Sequence, residues 1–188
     1  MMKLYLIRHG ESESNAAKLW TGWFDSPLTE NGIKDAEGVR AYLHRIHFDQ
    51  VYSSDLIRAY QTAQVAIPGC KPEKTALLRE INVGSLAGTP LANTSHIIFK
   101  LTSVGYADYG GESQKDFQGR LRQFLCFLEQ QNFQSVAAFA HAGCLRIILD
   151  TLVGNTIPRN AILCRNCCIA ILEYDGSTWK LHSWINTQ

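Results

Sequence analysis

The stretch Lys3-Leu4-Tyr5-Leu6-Ile7-Arg8-His9-Gly10 decides the fold. Beyond Lys3 it is apolar without alternation up to Ile7, then breaks abruptly into two basic residues and a glycine. A short continuous apolar run of this kind reads as a strand buried on both faces, as in parallel sheets. Such a strand delivers Arg8 and His9 at its carboxyl end. The device recurs downstream, where the apolar run Ser135 to Ala140 leads into His141-Ala142-Gly143.

Helical patterns lie between these anchors. From Thr29, the residues Ile33, Ala36, Val39, Leu43 and Ile46 recur at helical spacing, with Lys34, Asp35 and Arg40 on the opposite face. Gln50 to Ser53 returns as a strand. Ser54 and Asp55 are then placed to cap a second helix through Leu56, Ala59, Ala63 and Ala66, which Pro68-Gly69 stops. Thr75 to Leu78 is expected as a third strand. Ser113 to Asp116 has capping-box spacing and opens a helix whose apolar face is Phe117, Leu121, Phe124, Leu125 and Leu128. Another helix carries Leu145, Ile148, Leu149 and Leu152. Two β-rich segments, Cys167 to Tyr174 and Thr178 to Ile185, flank the turn signal Asp175-Gly176. Residues 91–109 mix aromatics, Gly105 and polar residues without a readable period.

Strands alternating with helices predict an α/β fold: a three-layer sandwich, with a mostly parallel central sheet, helices on both faces and an antiparallel edge. Residues 1–188 are read as a single domain. In such sheets ligands bind beyond the carboxyl ends of the strands, where Arg8, His9 and His141 all fall.

The bulk properties exclude several classes of function. With 18 basic and 17 acidic residues well mixed, and a formal net charge of +1, no block of like charge is present to grip nucleic acid or an anionic membrane. The apolar run at the start is too short for a signal peptide or a membrane span, so a cytoplasmic protein is expected. The six cysteines are unevenly spaced and mostly sit in apolar stretches, as reduced core residues do. Cys164, Cys167 and Cys168 have C-x-x-C-C spacing, but no second pair or nearby histidine completes four zinc ligands. Core packing rather than a metal site is therefore expected of them, and no cofactor is expected.

A phosphomonoester carries nearly two negative charges and needs several cationic or N–H donors around one tetrahedron. Arg8, Arg58 and His141 are placed to supply them. A neutral imidazole held in line is a competent nucleophile toward phosphorus, and neighbouring cations favour the neutral form. His9, between Arg8 and Gly10, suits that part. The alkoxide leaving group calls in addition for a carboxylic acid near the phosphate.

Four strings then carry a family resemblance: Leu6-Ile7-Arg8-His9-Gly10-Glu11 with Asn15; Ser53-Ser54-Asp55-Leu56-Ile57-Arg58-Ala59-Tyr60-Gln61-Thr62-Ala63; Leu78-Arg79-Glu80 with Gly84 and Gly88; and His141-Ala142-Gly143. In this order they resemble the histidine phosphatase superfamily, which includes the cofactor-dependent phosphoglycerate mutases. Gly111-Glu112-Ser113 also looks like the family's segment before its later helix, with Ser113 as a cap. The resemblance implies that His9 is phosphorylated, that Arg8, Arg58 and His141 form the phosphate pocket assisted by the N–H of Ala142, that Asn15 contacts phosphoryl group or substrate, and that Glu80 is the proton donor. Where the family has a Trp-Glu-Gly-like stretch this chain reads Leu86-Ala87-Gly88, losing an aromatic and a carboxylate near the acid.

The expected activity is hydrolysis of a small phosphorylated metabolite through phosphohistidine. Mutases of the family carry further basic residues between the acid and the later histidine, whereas between Gly88 and Gly110 this chain has only Lys100. The first alternative is a phosphoglycerate mutase, which Thr21-Gly22-Trp23 resembles in its substrate-carboxylate loop. Similar loops also occur in phosphatases resembling α-ribazole phosphatase. The second alternative is a phosphoester- or protein-binding member that has lost catalysis.

Overall fold

A computed structural model describes residues 1–94, 104–154 and 162–187. Its strands are β1 (Met2–Arg8), β2 (Gln50–Ser54), β3 (Glu73–Thr75), β4 (Ser135–Ala140), β5 (Ile169–Tyr174) and β6 (Trp179–Ile185). They form one six-stranded sheet in the order β3-β2-β4-β1-β5-β6. The β3, β2, β4 and β1 pairings are parallel, and β5 and β6 are added antiparallel. The sheet is thus mostly parallel, with an antiparallel edge two strands wide.

Among the described residues the α-helices are α1 (Glu13–Ala16), α2 (Glu30–Leu43), α3 (Ile57–Ala66), α4 (Gln114–Glu129) and α5 (Ala142–Val153). Alternate side chains of β1 enter different cores. Leu4 and Leu6 pack with Phe117, Leu121 and Phe124 of α4 and Leu145 and Ile148 of α5. Tyr5 and Ile7 pack with Ala36 and Val39 of α2 and Ala63 of α3. Both faces are covered, which is why β1 and β4 read as unbroken apolar runs. Among the described residues no helix is long and apolar enough to cross a membrane.

Three local expectations are corrected. Thr75–Leu78 is not a strand: β3 ends at Thr75, whose hydroxyl accepts from Leu77 N and turns Ala76–Leu78 into a 3₁₀ segment. Neither Ser54 nor Asp55 caps α3, because Leu56 occupies the cap position and Asp25 Oδ1 takes the N–H of Ile57 at 2.7 Å. Asp55 instead pairs with Arg79, 2.5 Å away. Ile33 lies outside the apolar face of α2, 43% exposed, and Gly32 takes the buried position. Gly32 is pressed against Gly10 and Glu11, and a Cβ on either glycine would overlap the other segment's backbone. Gly10 therefore admits α2, while its carbonyl lies against the ring of His9.

The unread segment 91–109 lies partly outside the described residues. Its described ends are short 3₁₀ pieces, Leu91–Thr94 and Ala107–Tyr109. Lys100 and His96 also lie outside.

Candidate active site

The register of β1 on β4 pairs Arg8 with Ala140, so the next residues, His9 and His141, emerge side by side. Their ring centroids are 5.1 Å apart. Sequence distance is removed by strand pairing alone.

His9 is 4% exposed and held at both nitrogens. Nδ1 lies 2.6 Å from the carbonyl of Gly10, and Arg58 Nε donates to Nε2 at 3.3 Å. A carbonyl only accepts and a guanidinium only donates. Together they place the ring proton on Nδ1 and the lone pair on Nε2. Burial, then the charges of Arg58 and Arg8, hold the His9 pKa well below that of a free histidine. The ring is neutral at neutral pH.

Arg58, in the first turn of α3, is 1% exposed. Its other nitrogens donate to Gly22 O at 2.8 Å and Phe24 O at 3.1 Å. Burial lowers its pKa to about 10, against the raising effect of Glu80, so it remains cationic. Arg8 donates through Nη1 to the carbonyl of Cys164, 2.5 Å away, and its buried Nε has no partner among the described residues.

His141 is fully buried, its ring beside that of His9. Its Nε2 is 2.9 Å from Ser54 Oγ, and Nδ1 is buried without a partner among the described residues. Burial, then Arg58, His9 and Arg8, depress its pKa. Since Leu56 N–H already donates to Ser54 Oγ, the hydroxyl proton is free to point at Nε2.

Glu80 reaches the same place from the loop after the 3₁₀ segment. Its Oε2 accepts from Gly143 N at 3.0 Å and its Oε1 from Ile81 N at 2.9 Å. A Cβ on Gly143 would overlap Glu80 Oε1. The glycine of His-Ala-Gly thus leaves the space that the Glu80 carboxylate occupies. Glu11, the other carboxylate near His9 in sequence, accepts from the Thr29 hydroxyl at 2.7 Å and lines a separate hollow with Asn31, Lys34 and Asp35.

A cleft of about 410 Å³ opens over these groups. Arg8, His9, Asn15, Thr21, Gly22, Arg58, Glu80 and Ala142 all line it. Asn15 Oδ1 is committed to Ser12 N and Asn166 Nδ2, so what it can offer the cleft is its NH₂. The Thr21–Trp23 loop is fixed by the Arg58 bonds and by Trp23 Nε1, which donates to the Glu80 carbonyl at 2.7 Å.

The profile of the histidine phosphatase superfamily (branch 1) matches residues 4–187. The chain belongs to that superfamily. Relatives of this histidine phosphatase superfamily member include the probable phosphoglycerate mutases GpmB of Erwinia tasmaniensis, 31% identical over 198 aligned residues, and of Proteus mirabilis, 29% identical over the same length. Each alignment covers 98% of this chain and 91% of the relative. Among solved structures, a putative α-ribazole-5′-P phosphatase from Escherichia coli aligns with a TM-score of 0.84 at 25% identity, covering 100% of this chain and 98% of the other. A phosphoglycerate mutase from Thermus thermophilus aligns with a TM-score of 0.77 at 28% identity, covering 98% and 99%. The fold is that of these structures.

Several residues of the site escaped the sequence reading. Thr62 accepts from Gly10 N at 3.0 Å and donates to Arg58 O, tying the two strings together. Arg120 forms two bonds to Glu112 and also donates to the carbonyls of Ala76, Leu77, Arg79 and Glu80. Gln114 and Arg146 line the cleft as well. Thr62 and Glu112 stand inside quoted strings, but Arg120 carries no signal beyond being a polar residue on an apolar-faced helix.

The C-x-x-C-C cluster does not converge. Cys164 and Cys168 have sulfurs 3.4 Å apart in one core, whereas Cys167 points into the other. Among the described residues no group of three or more His, Cys, Asp or Glu side chains is arranged to hold a metal ion.

Proposed function

We propose that the protein hydrolyses a small phosphomonoester through a phosphohistidine on His9, with Glu80 as proton donor. The observation that carries the reading is the pair of contacts fixing the ring of His9, with the proton on Nδ1 and the lone pair on Nε2.

In the first half-reaction Nε2 forms the bond to phosphorus as the bond to the ester oxygen breaks. That oxygen takes the proton of the Glu80 carboxylic acid. In the second half-reaction water attacks phosphorus and gives a proton to the Glu80 carboxylate. The N–P bond breaks, the electron pair returns to Nε2, and inorganic phosphate leaves. Arg8, Arg58, the Nδ1–H of His141 and the Ala142 N–H surround the phosphoryl oxygens, and Asn15 NH₂ adds a donor. These groups supply in fixed positive charge and dipoles what a metal supplies elsewhere.

Water is favoured over a second substrate because a mutase must hold a carboxylate and two phosphoryl groups at once. Beyond Arg8 and Arg58, Arg146 is the one further cation lining the cleft among the described residues. The mutase reading stands second, favoured by the names of the curated relatives.

Phosphate release separates the two. A panel of alkyl phosphates, phosphoglycerates and α-ribazole phosphate, assayed with and without a bisphosphoglycerate primer, is expected to yield stoichiometric inorganic phosphate independent of primer. Primer-dependent interconversion of phosphoglycerates without phosphate release would favour the mutase. Treatment with EDTA is expected to leave the rate unchanged, and a large loss would defeat the metal-free mechanism.

A further inference from the structure

The cleft holds two donors that the phosphoryl chemistry does not use. Arg146 lies on α5 five residues beyond His141, lines the cleft beside Ile147, and has a buried Nε with no partner among the described residues. Gln114 opens α4, lines the same cleft, and has a buried Nε2 equally without a partner. Of the other arginines of the region, Arg8 and Arg58 stand beside His9, where the proposed phosphoryl chemistry uses them, and Arg120 is bound to Glu112. Buried polar atoms are almost always paired, and those left over in a native cleft mark where a ligand completes the bonding.

We infer that Arg146 and Gln114 select the substrate by reading an acceptor oxygen on its leaving group, and that the preferred substrate is a phosphomonoester with an apolar body bearing a carboxylate. The Arg146 Nε can only donate and the Gln114 amide can present its NH₂ beside it, so the missing partner is an acceptor. The arginine adds a charge and a planar fork that a carboxylate matches. Glu80 is the one carboxylate lining the cleft among the described residues, and backbone N–H groups already hold it. The apolar body follows from Trp20, Val83, Tyr106, Phe117 and Ile147, which line the cleft together with the two donors. A site with buried donors rejects a ligand that lacks the acceptor, because the donors are then left dry and unpaired.

The inference rests on the proposed phosphomonoester chemistry for its frame, but its test does not need turnover. Calorimetry on the full chain compares benzylphosphonate with 4-carboxybenzylphosphonate. The carboxylated ligand is expected to bind roughly 10- to 100-fold tighter. Arg146→Ala and Gln114→Leu are each expected to shrink that ratio while leaving benzylphosphonate affinity within about threefold, and Arg146→Lys to keep part of it. Equal affinities in wild type would overturn the inference, as would a variant that weakens both ligands alike, the mark of a merely structural residue. If Arg146→Ala fails to fold, Arg146→Lys and Gln114→Leu carry the comparison. A third ligand with a second phosphonate in place of the carboxylate separates the two sources of anionic oxygen, and tighter binding of that ligand would overturn the carboxylate assignment. Failure of the hydrolase reading shows separately, as lack of turnover of phenyl phosphate and of label on His9.

Discussion

Residue by residue, the site works through atoms that have few alternatives. Glu80 is fixed by two backbone donors and occupies the space a side chain at 143 would need. Glu80→Gln is expected to slow hydrolysis of alkyl phosphates by roughly 10²- to 10⁴-fold while sparing p-nitrophenyl phosphate, whose leaving group needs no proton. Equal losses on both substrates would move the acid role to another group. Gly143→Ala should reproduce the same asymmetry by displacing the carboxylate, and a variant with wild-type kinetics on alkyl phosphates would show that Glu80 works from elsewhere. That Arg8, His9, Arg58 and His141 come together was legible in the sequence, because each sits where an apolar run breaks or a strand meets a helix. Arg146 was not, since a lone arginine inside an amphipathic helix looks the same whether it meets solvent or a cleft. The structural reason for Gly143 was equally hidden, because its neighbour comes from a loop some sixty residues away.

At the level of elements, the sheet and its long helices followed from periodicity, while junctions did not. The third strand was misplaced by a few residues because Thr75-Ala76-Leu77-Leu78 is as apolar as a strand, and only the Thr75 hydroxyl bond shows that it turns. The start of α3 was misread because its first N–H is satisfied by Asp25, thirty-two residues earlier. Such long-range caps leave no local signature. The loop carrying Glu80 is held the same way, by Arg120 reaching from α4 to four carbonyls and to Glu112. The Arg120–Glu112 pair is mostly buried, with side chains 14% and 16% exposed. Arg120→Ala is expected to cost about 2–4 kcal/mol, because it strands a buried carboxylate and several carbonyls. Urea unfolding measures the loss. A larger fall in kcat than in substrate affinity would tie the clamp to the position of the acid, whereas unchanged stability would remove the clamp from the account.

For the whole molecule, two neutral histidines buried under two arginines make stability depend on pH. The native pKa values of His9 and His141 are depressed, so below about pH 6.5 the unfolded chain binds protons that the native state refuses. Stability is therefore full above the unfolded histidine pKa and is lost as pH falls below it, by about 1.4 kcal/mol per pH unit for each histidine. Chemical denaturation at pH 7.5 and 5.5 should show the loss, and His9→Asn should roughly halve that slope. A flat profile would mean that the two histidines titrate in the native state as they do in the unfolded chain. That neutral state matters most at His9, since only a free lone pair on Nε2 can take a phosphoryl group. The most direct measurement is to label the protein with a phosphoryl donor, quench it, and locate the phosphate by mass spectrometry. An acid-labile, base-stable phosphate on His9, lost in His9→Ala together with turnover, is the predicted result. Turnover with no trapped phosphohistidine in wild type, or a label that persists in His9→Ala, would contradict the account.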